Sequence, residues 1–569
     1  MASSFLGLYV QREALLLSQK ALDITGNNIS NINTPGYTRQ RLDVCSVANI
    51  KGTLGYNTAV TLAGKGSEAV GVAQIRDRLL DEKVRNYSGD LCDSGMKTST
   101  LADVEDVFDA IETDELGASF ASIVNQFKES LQSFSVDNAD RVEMANIAIN
   151  NAESLVQAIV NYDSKLTDIS QQVLGDTQAT VDRVNSIFAE MGNLNKQIKD
   201  AYITMGYIES DMGNYHVMND YGPLELKDEM HSLLDELSQY GNIHVEEEND
   251  GTFTVEFANQ TVVSGKDYAQ MAITKENPEP TELAYEIATT LRDKDEWYDL
   301  NVKFDTGGKS QFLVREGNAG DTVNITGKDN KGAYLLDSGS LRGSADVYNG
   351  RGIFTETVND VKTDANGNEI SSTDITNPYQ GIEYYRDMLN SFVRTMTNEM
   401  NEIFDGYGEI FTYENADGNA DFRTAANNFR VADDWKDYPE LISNPTKNNE
   451  FAELDNTYIQ KMLGVLNSPQ EYGDGRVSDP QQFTPEKFVA HICDNLGSQV
   501  EYETGVYNAT DIMLTSVETS RSEVMDVSMD EEGINMMNYQ KWYNAIARMV
   551  TALDEALDKL INGTGRVGL

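Results

Sequence analysis

Apolar residues recur at spacings of three, four and seven over much of the chain, the period of one face of an α-helix. Leu101, Val104, Val107, Phe108 and Ile111 form one such face, and Ile147, Leu155, Val156 and Ile159 form another, within a helical stretch over 101–210. Leu226, Met230, Leu233 and Leu237 form a third, and Ile382, Tyr385, Leu389, Phe392, Met396, Met400 and Ile403 a fourth. Each pattern predicts the buried side of a bundle helix. From about 243 to 350 the period changes to two. Ile243 and Val245, then Phe253, Val255 and Phe257, alternate with polar residues around an Asn249-Asp250-Gly251 turn, and Leu300, Val302 and Phe304 alternate again. That pattern predicts a β-rich insertion. Residues 405–485 are rich in Asp, Asn, Gly and Pro and read as loops with short elements.

The two ends carry the longest helical stripes. Tyr539, Trp542, Ile546, Met549, Leu553, Ala556 and Leu560 are spaced alternately three and four apart, with Tyr543, Val550 and Leu557 widening the stripe. Val10, Ala14, Leu17, Ala21 and Ile24 repeat the spacing near the N-terminus, beside Leu8, Leu15 and Leu22. These are coiled-coil seams. They are also wider than one partner helix covers, which favours a terminal pair packing laterally on other subunits over a private two-helix hairpin. The fold expected is mainly α with a β-rich insertion, in three parts. Residues 1–45 and 525–569 form a terminal α-helical coiled-coil domain, 46–240 and 350–524 a mainly α bundle, and 241–349 an inserted outer β domain. Proline placement agrees: Pro35 is followed by none until Pro223, and none follows Pro485, so both flanking regions are free to form long helices.

Charge sharpens this division. Asp and Glu number 93 against 44 Lys and Arg, a net of −49 over 569 residues. Such a surface repels phosphate backbones and anionic bilayers, so neither nucleic acid nor membrane is an expected partner. Residues 1–45 set Arg12, Lys20, Arg39 and Arg41 against Glu13, Asp23 and Asp43, a net of +1. Residues 525–569 set Lys541, Arg548, Lys559 and Arg566 against seven acids, a net of −3, so nearly all the charge lies in the middle. Ends that are buried in an assembly should be close to neutral, whereas a solvent-facing middle can be acidic.

Catalytic chemistry is not expected. Cys45, Cys92 and Cys493 form no CxxC pair and read as reduced, buried or half-buried thiols. His216, His231, His244 and His491 show no metal-ligand spacing. Gly563-x-Gly565-x-x-Gly568 matches a dinucleotide fingerprint as a string but has no helix after it. Asn415, Asp417, Asn419 and Asp421 alternate as in a calcium loop, but Thr424 stands where the bidentate glutamate belongs, so plain turns are preferred. An enzyme carried as the insertion would need a nucleophile or metal constellation between 241 and 485, where His244 is the only histidine and cysteine is absent. No catalytic, cofactor or metal residues are assigned.

One string is specific. Asn27-Asn28-Ile29-Ser30-Asn31-Ile32-Asn33-Thr34-Pro35-Gly36-Tyr37 closes the N-terminal helix in a run of polar residues. Pro35 and Gly36 suit the central positions of a type II turn, leaving Tyr37 to anchor it. This string resembles the signature of the flagellar rod, hook and hook-associated axial proteins. The Thr38-Arg39-Gln40 continuation is more similar to the first hook-associated protein than to the hook or rod proteins. Near the far end, Asp530-Glu531-Glu532 and Tyr539-Gln540 with Tyr543 resemble the same pattern, and Leu233-Leu234-Asp235-Glu236-Leu237 resembles it more weakly.

The resemblance implies a structural subunit assembling at the hook tip as the adaptor between hook and filament; another axial component, a hook or distal rod protein, is the alternative. It implies self-association in a ring, contact with the hook protein and the second hook-associated protein, and an export chaperone binding the C-terminal region. It also replaces a cytoplasmic destination, which the missing Sec signal alone suggests, by type III export to the extracellular flagellum without a cleaved signal. Leu17, Ile24, Tyr539, Trp542, Ile546, Met549, Leu553 and Leu560 are the expected assembly seam.

Overall fold

The computed structural model describes residues 4–46, 66–113, 120–134, 141–205, 222–248, 250–273, 334–350, 379–414, 425–442, 456–472 and 481–559, and isolated short strands between them. Helix α1 (Ser4–Ser30) leads into the hairpin β1 (Gln40–Ser46) and β2 (Ser67–Gln74). Three long helices follow the predicted stripes: α2 (Arg78–Thr113), α3 (Phe120–Ser133) and the 65-residue α4 (Arg141–Met205). After the short hairpin β3 (Ile208–Asp211) and β4 (Asn214–Val217) comes α5 (Leu224–Leu237). A meander then runs through β5 (Ile243–Glu247), β6 (Phe253–Phe257), β7 (Gln260–Ser264) and β8 (Asp267–Tyr268) to β9 (Met271–Ile273). The chain returns through α6 (Ser340–Asn349), α7 (Ile382–Ile403), α8 (Asp433–Asp437) and α9 (Thr457–Asn467). It ends in α10 (Pro485–Met525) and α11 (Met529–Asp558). The class is mainly α with a β-containing insertion.

Two apolar cores share α4. The first packs Leu155, Ile159 and Tyr162 of α4 with α2, α3, α7, α9 and the start of α10. The α7 stripe from Ile382 to Met400 is buried in it throughout. The second packs Val184, Phe188 and Ile198 of α4 with α5, α6 and the inner face of the meander, Phe253, Val255 and Phe257. Period-two alternation sets that face: Ile243 pairs with Phe257 and Val245 with Val255 in antiparallel register. Asn195 of α4 locks the sheet on by accepting from Phe253 N and donating to its carbonyl, both at 2.8 Å. Asn185 does the same for Met271, at 2.7 and 2.8 Å.

Some expectations shift. Ile147 is exposed, because α4 turns the adjacent Ala148, Ile149 and Ala152 inward instead. Cys493 is exposed rather than half-buried. Strand structure gives way to α6 before residue 349. The Leu300–Phe304 alternation, Asn249, the Asn415–Thr424 turns and the glycines after 562 lie outside the described residues. No described helix is long and apolar enough to cross a membrane. Among the described residues, no group of three or more His, Cys, Asp or Glu could hold a metal ion.

Candidate assembly interface

The polar end of α1 is built around Asn28. Its buried amide donates to the Gln40 carbonyl at 2.9 Å, and its Oδ1 accepts from Gln40 N at 3.0 Å and from the Tyr37 hydroxyl at 2.8 Å. A side-chain amide bonding both backbone groups of one residue mimics a strand partner, so it fixes where β1 starts. Asn31 donates to the carbonyl and Oδ1 of Asn27, and Thr34 Oγ1 donates to Asn31. The turn is as expected: Tyr37 N donates to the Thr34 carbonyl at 3.2 Å, with Gly36 at φ +77° behind Pro35. Burial, reinforced by Asp228, Glu225 and Glu532, pushes the Tyr37 phenol up to about 12. It therefore stays a neutral donor to Asn28. Asn33, Thr34, Pro35 and Gly36 face solvent.

Each residue of the Thr38-Arg39-Gln40 continuation ties the terminal helix to a different element. Thr38 donates through Oγ1 at 2.6 Å and N at 3.2 Å to Asp228 of α5. Arg39 N donates to the Met525 carbonyl at the end of α10. Its guanidinium reaches across to α11, with Nε 2.8 Å from the buried Glu532 and Nη1 2.6 Å from the exposed Glu531. Gln40 is the residue held by Asn28. The Asp530-Glu531-Glu532 start thus has two roles. It places acids at the positive helix N-terminus capped by Ser528, and it supplies the partner of Arg39.

A second tier of charges supports the first. Arg76 donates to Thr38 Oγ1 at 3.0 Å and pairs with Asp81 at 2.8 Å and Asp228 at 3.5 Å. Arg85 of α2 and Arg521 of α10 both pair with Asp235 of α5 at 2.8 Å. Arg85 also lies 3.1 Å from His231 Nδ1; a guanidinium only donates, so that nitrogen accepts. Burial and the surrounding Arg76, Arg85 and Lys227 hold His231 well below the ordinary histidine range, hence neutral. Pattern reading did not identify Arg76, Asp228 or Arg521, and it met Asp235 only inside a weakly resembling string, with no partner assigned. Their partners lie up to 286 residues away in sequence, and no local spacing signals them.

α1 and α11 pack along one another, and β1 and β2 cover a further side of α1. Leu17, Ala21 and Asn28 of α1 are buried and Ile24 half-buried. On α11 Ile546 is buried, and Tyr539, Tyr543, Val550, Leu553 and Leu557 are half-buried. Leu553 Cδ1 would lie 3.9 Å from a Cβ at Gly7. The seam residues therefore divide. Tyr539, Ile546 and Leu553 serve the pair itself, whereas Trp542 and Met549 face outward, 38% and 53% exposed. Ile534 and Met537 on α11, and Tyr9 and Leu16 on α1, are exposed as well. Leu560 lies outside the described residues.

Comparison with known proteins meets this arrangement at three places. Residues 8–38 match the family of flagella basal body rod proteins, and 519–563 match the C-terminal region of flagellar basal body rod FlgEFG proteins. Residues 101–310 match the helical domain of flagellar hook-associated protein FlgK. Flagellar hook-associated protein 1 of Bacillus subtilis is 26% identical over 99% of both chains. The Escherichia coli protein of the same name is 23% identical over 96% of this chain and 97% of its own. Over nearly its whole length the chain is therefore similar to flagellar hook-associated protein 1.

A solved hook junction protein FlgK, from Burkholderia pseudomallei, is 15% identical, with a TM-score of 0.39 over 58% of this chain and 46% of its own. The two rod-type matches bracket α1 with its turn and α11 with the end of α10. Those are the elements that Arg39 joins.

Proposed function

We propose that this chain is a structural subunit at the hook tip, where it forms the junction between hook and filament. The observation that carries this reading is the exposed apolar residues Trp542 and Met549 on α11 and Tyr9 and Leu16 on α1, each pair seven residues apart and so on one face of its helix, on a helix pair that already packs together. Large apolar side chains grouped on an ordered helix face, on the least charged parts of a −49 chain, fit burial against further copies of the same pair. The terminal domain is then 1–45 with 525–569, the bundle 46–240 with 350–524, and the outer insertion 241–349.

Ring self-association through the outward strip leaves the hook protein on one side and the second hook-associated protein on the other. An export chaperone binding the C-terminal region would cover the same strip before assembly. Export through the flagellar type III channel to the outside, with no cleaved signal, completes the reading. The test is the double variant Trp542→Asp and Met549→Asp. Both side chains face solvent in the single subunit, so the variant should fold and be exported but accumulate in the medium instead of on hooks. Normal attachment would remove the strip from the assembly interface.

A further inference from the structure

The two apolar cores meet at α6, where Ala345 belongs to the second, Val347 to the first and the half-buried Tyr348 packs against both, but elsewhere they are separated. In α4, Val173 belongs to the first and Val181 to the second, and only Thr177 is buried between them. Gly175 stands in this gap with nothing within 4 Å of where a Cβ would be, so packing does not require a glycine there. A glycine inside a helix loosens it relative to alanine. In α2, no apolar side chain is fully buried between Val84 and Leu101. In α10, Glu503 alone is buried between Leu496 and Met525.

Charge fills the space that apolar side chains leave. Lys97 of α2 bridges Asp93 of its own helix at 2.8 Å and Asp346 of α6 at 2.9 Å. Arg342 pairs with Asp346 at 2.6 Å and stacks its guanidinium 3.6 Å from the Tyr334 ring centre. The Tyr379 ring lies 5.1 Å from the Lys97 ammonium, and Glu503 faces Lys97 and Asp346 from α10. Gly343 admits α6 this closely; a Cβ there would sit 2.7 Å from the Asp93 carbonyl oxygen. Three carboxylates, Asp93, Asp346 and Glu503, thus meet two cations, Lys97 and Arg342. Asp93 Oδ2 is bound to Lys97, but its buried Oδ1 has no hydrogen-bond partner among the described residues.

We propose that this ionic waist is a flexing joint on which the two cores move relative to each other, and that a proton on Asp93 stiffens it. Close-packed apolar cores resist sliding, whereas buried ion pairs add little net adhesion and leave a surplus charge dissatisfied. Taking up a proton removes the surplus and gives Asp93 a donor. Burial, together with Asp346 and against Lys97 and Arg342, pushes the Asp93 carboxyl up to about 6. A carboxyl raised in the folded state holds its proton where the open form would lose it. The closed waist therefore gains stability as pH falls from about 6 towards the ordinary carboxyl range near 4, and loses it on the way back. The inference concerns the subunit alone and stands or falls independently of its place at the hook tip.

Hydrogen exchange on the full chain tests it, with rates corrected for the intrinsic effect of pH. At pH 7.5, peptides from 86–99 and 174–180 should exchange about tenfold faster than 101–108 and 181–188 of the same helices. Lowering the pH to 5 should slow the waist peptides about tenfold in the natural chain. The isosteric Asp93→Asn variant should show the slow waist at both pH values. Uniform protection along α2 and α4 at pH 7.5 would overturn the joint, and that measurement needs no variant. A pH response that persists in Asp93→Asn would overturn the assignment to Asp93.

Discussion

Removing the Arg39 side chain should loosen the start of α11 from the turn that follows α1 while leaving the body folded. The Glu532 carboxylate that it holds is 3% exposed and lies at the start of α11, and Arg39 itself is 18% exposed. Arg39→Ala strands that buried charge, a loss on the order of 3–5 kcal/mol when one partner of a buried pair is removed. The backbone bond from Arg39 N to the Met525 carbonyl survives the substitution, so about 3 kcal/mol is the reasonable expectation. Glu531 is the internal control. It also bonds Arg39, but it is 61% exposed, and such a pair is worth about 0–1 kcal/mol. Hydrogen exchange of the first-turn amides of α11 reads the opening free energy directly. A double-mutant cycle of Arg39→Ala with Glu532→Gln should give a coupling of about 2–4 kcal/mol, and with Glu531→Gln below about 1 kcal/mol. Equal couplings for the two glutamates would refute the reasoning, because the expected difference rests on burial.

Leu553→Asp places a charge in the half-buried face between α1 and α11 and should cost several kcal/mol, about 3; Asp554→Lys, on the exposed face, should cost less than ~1 kcal/mol. Comparison of protein on hooks with protein in the culture medium reads both. Tyr37 is a neutral donor with its phenol pushed up to about 12, so the unfolded chain loses that proton first as pH rises from about 10. Stability should fall between about pH 10 and 12, and Tyr37→Phe should remove that part of the slope in denaturant titrations. Neither apolar core contains a residue of 1–45 or 525–569, so deleting both ends should leave a soluble body with a cooperative thermal transition. Loss of that transition would make the ends part of the core fold.

How far the fold could be read from sequence depended on the range of the determining contacts. The α7 stripe was fully legible, because one helix face meets one core and period 3.6 encodes that directly. The Thr34–Tyr37 turn was legible for the same reason: Pro35 and Gly36 restrict their own backbone. The α11 seam was legible only by half. Two stripes, one through Trp542 and Met549 and one through Tyr543 and Val550, share Tyr539, Ile546 and Leu553, and periodicity cannot choose between them. α1 selects the second, which leaves the first facing out. Ile147 shows a related failure, since the small Ala148 and Ala152 let helices approach more closely than a large residue would. The charge networks at Asp228 and Asp235 were not legible at all. A lone acid on a helix looks the same whether its partner is water or an arginine hundreds of residues away.

The central claim is that the exposed strip of the terminal pair puts this chain at the tip of the hook. Hook–basal bodies purified from a strain lacking filament test it most directly, with labelled antibody against the chain viewed by electron microscopy. The account predicts label confined to a short cap at the distal end of each hook, lost when Trp542 and Met549 are both replaced by Asp. Label spread along the hook or along the rod would contradict it and make the chain a hook or distal rod component instead.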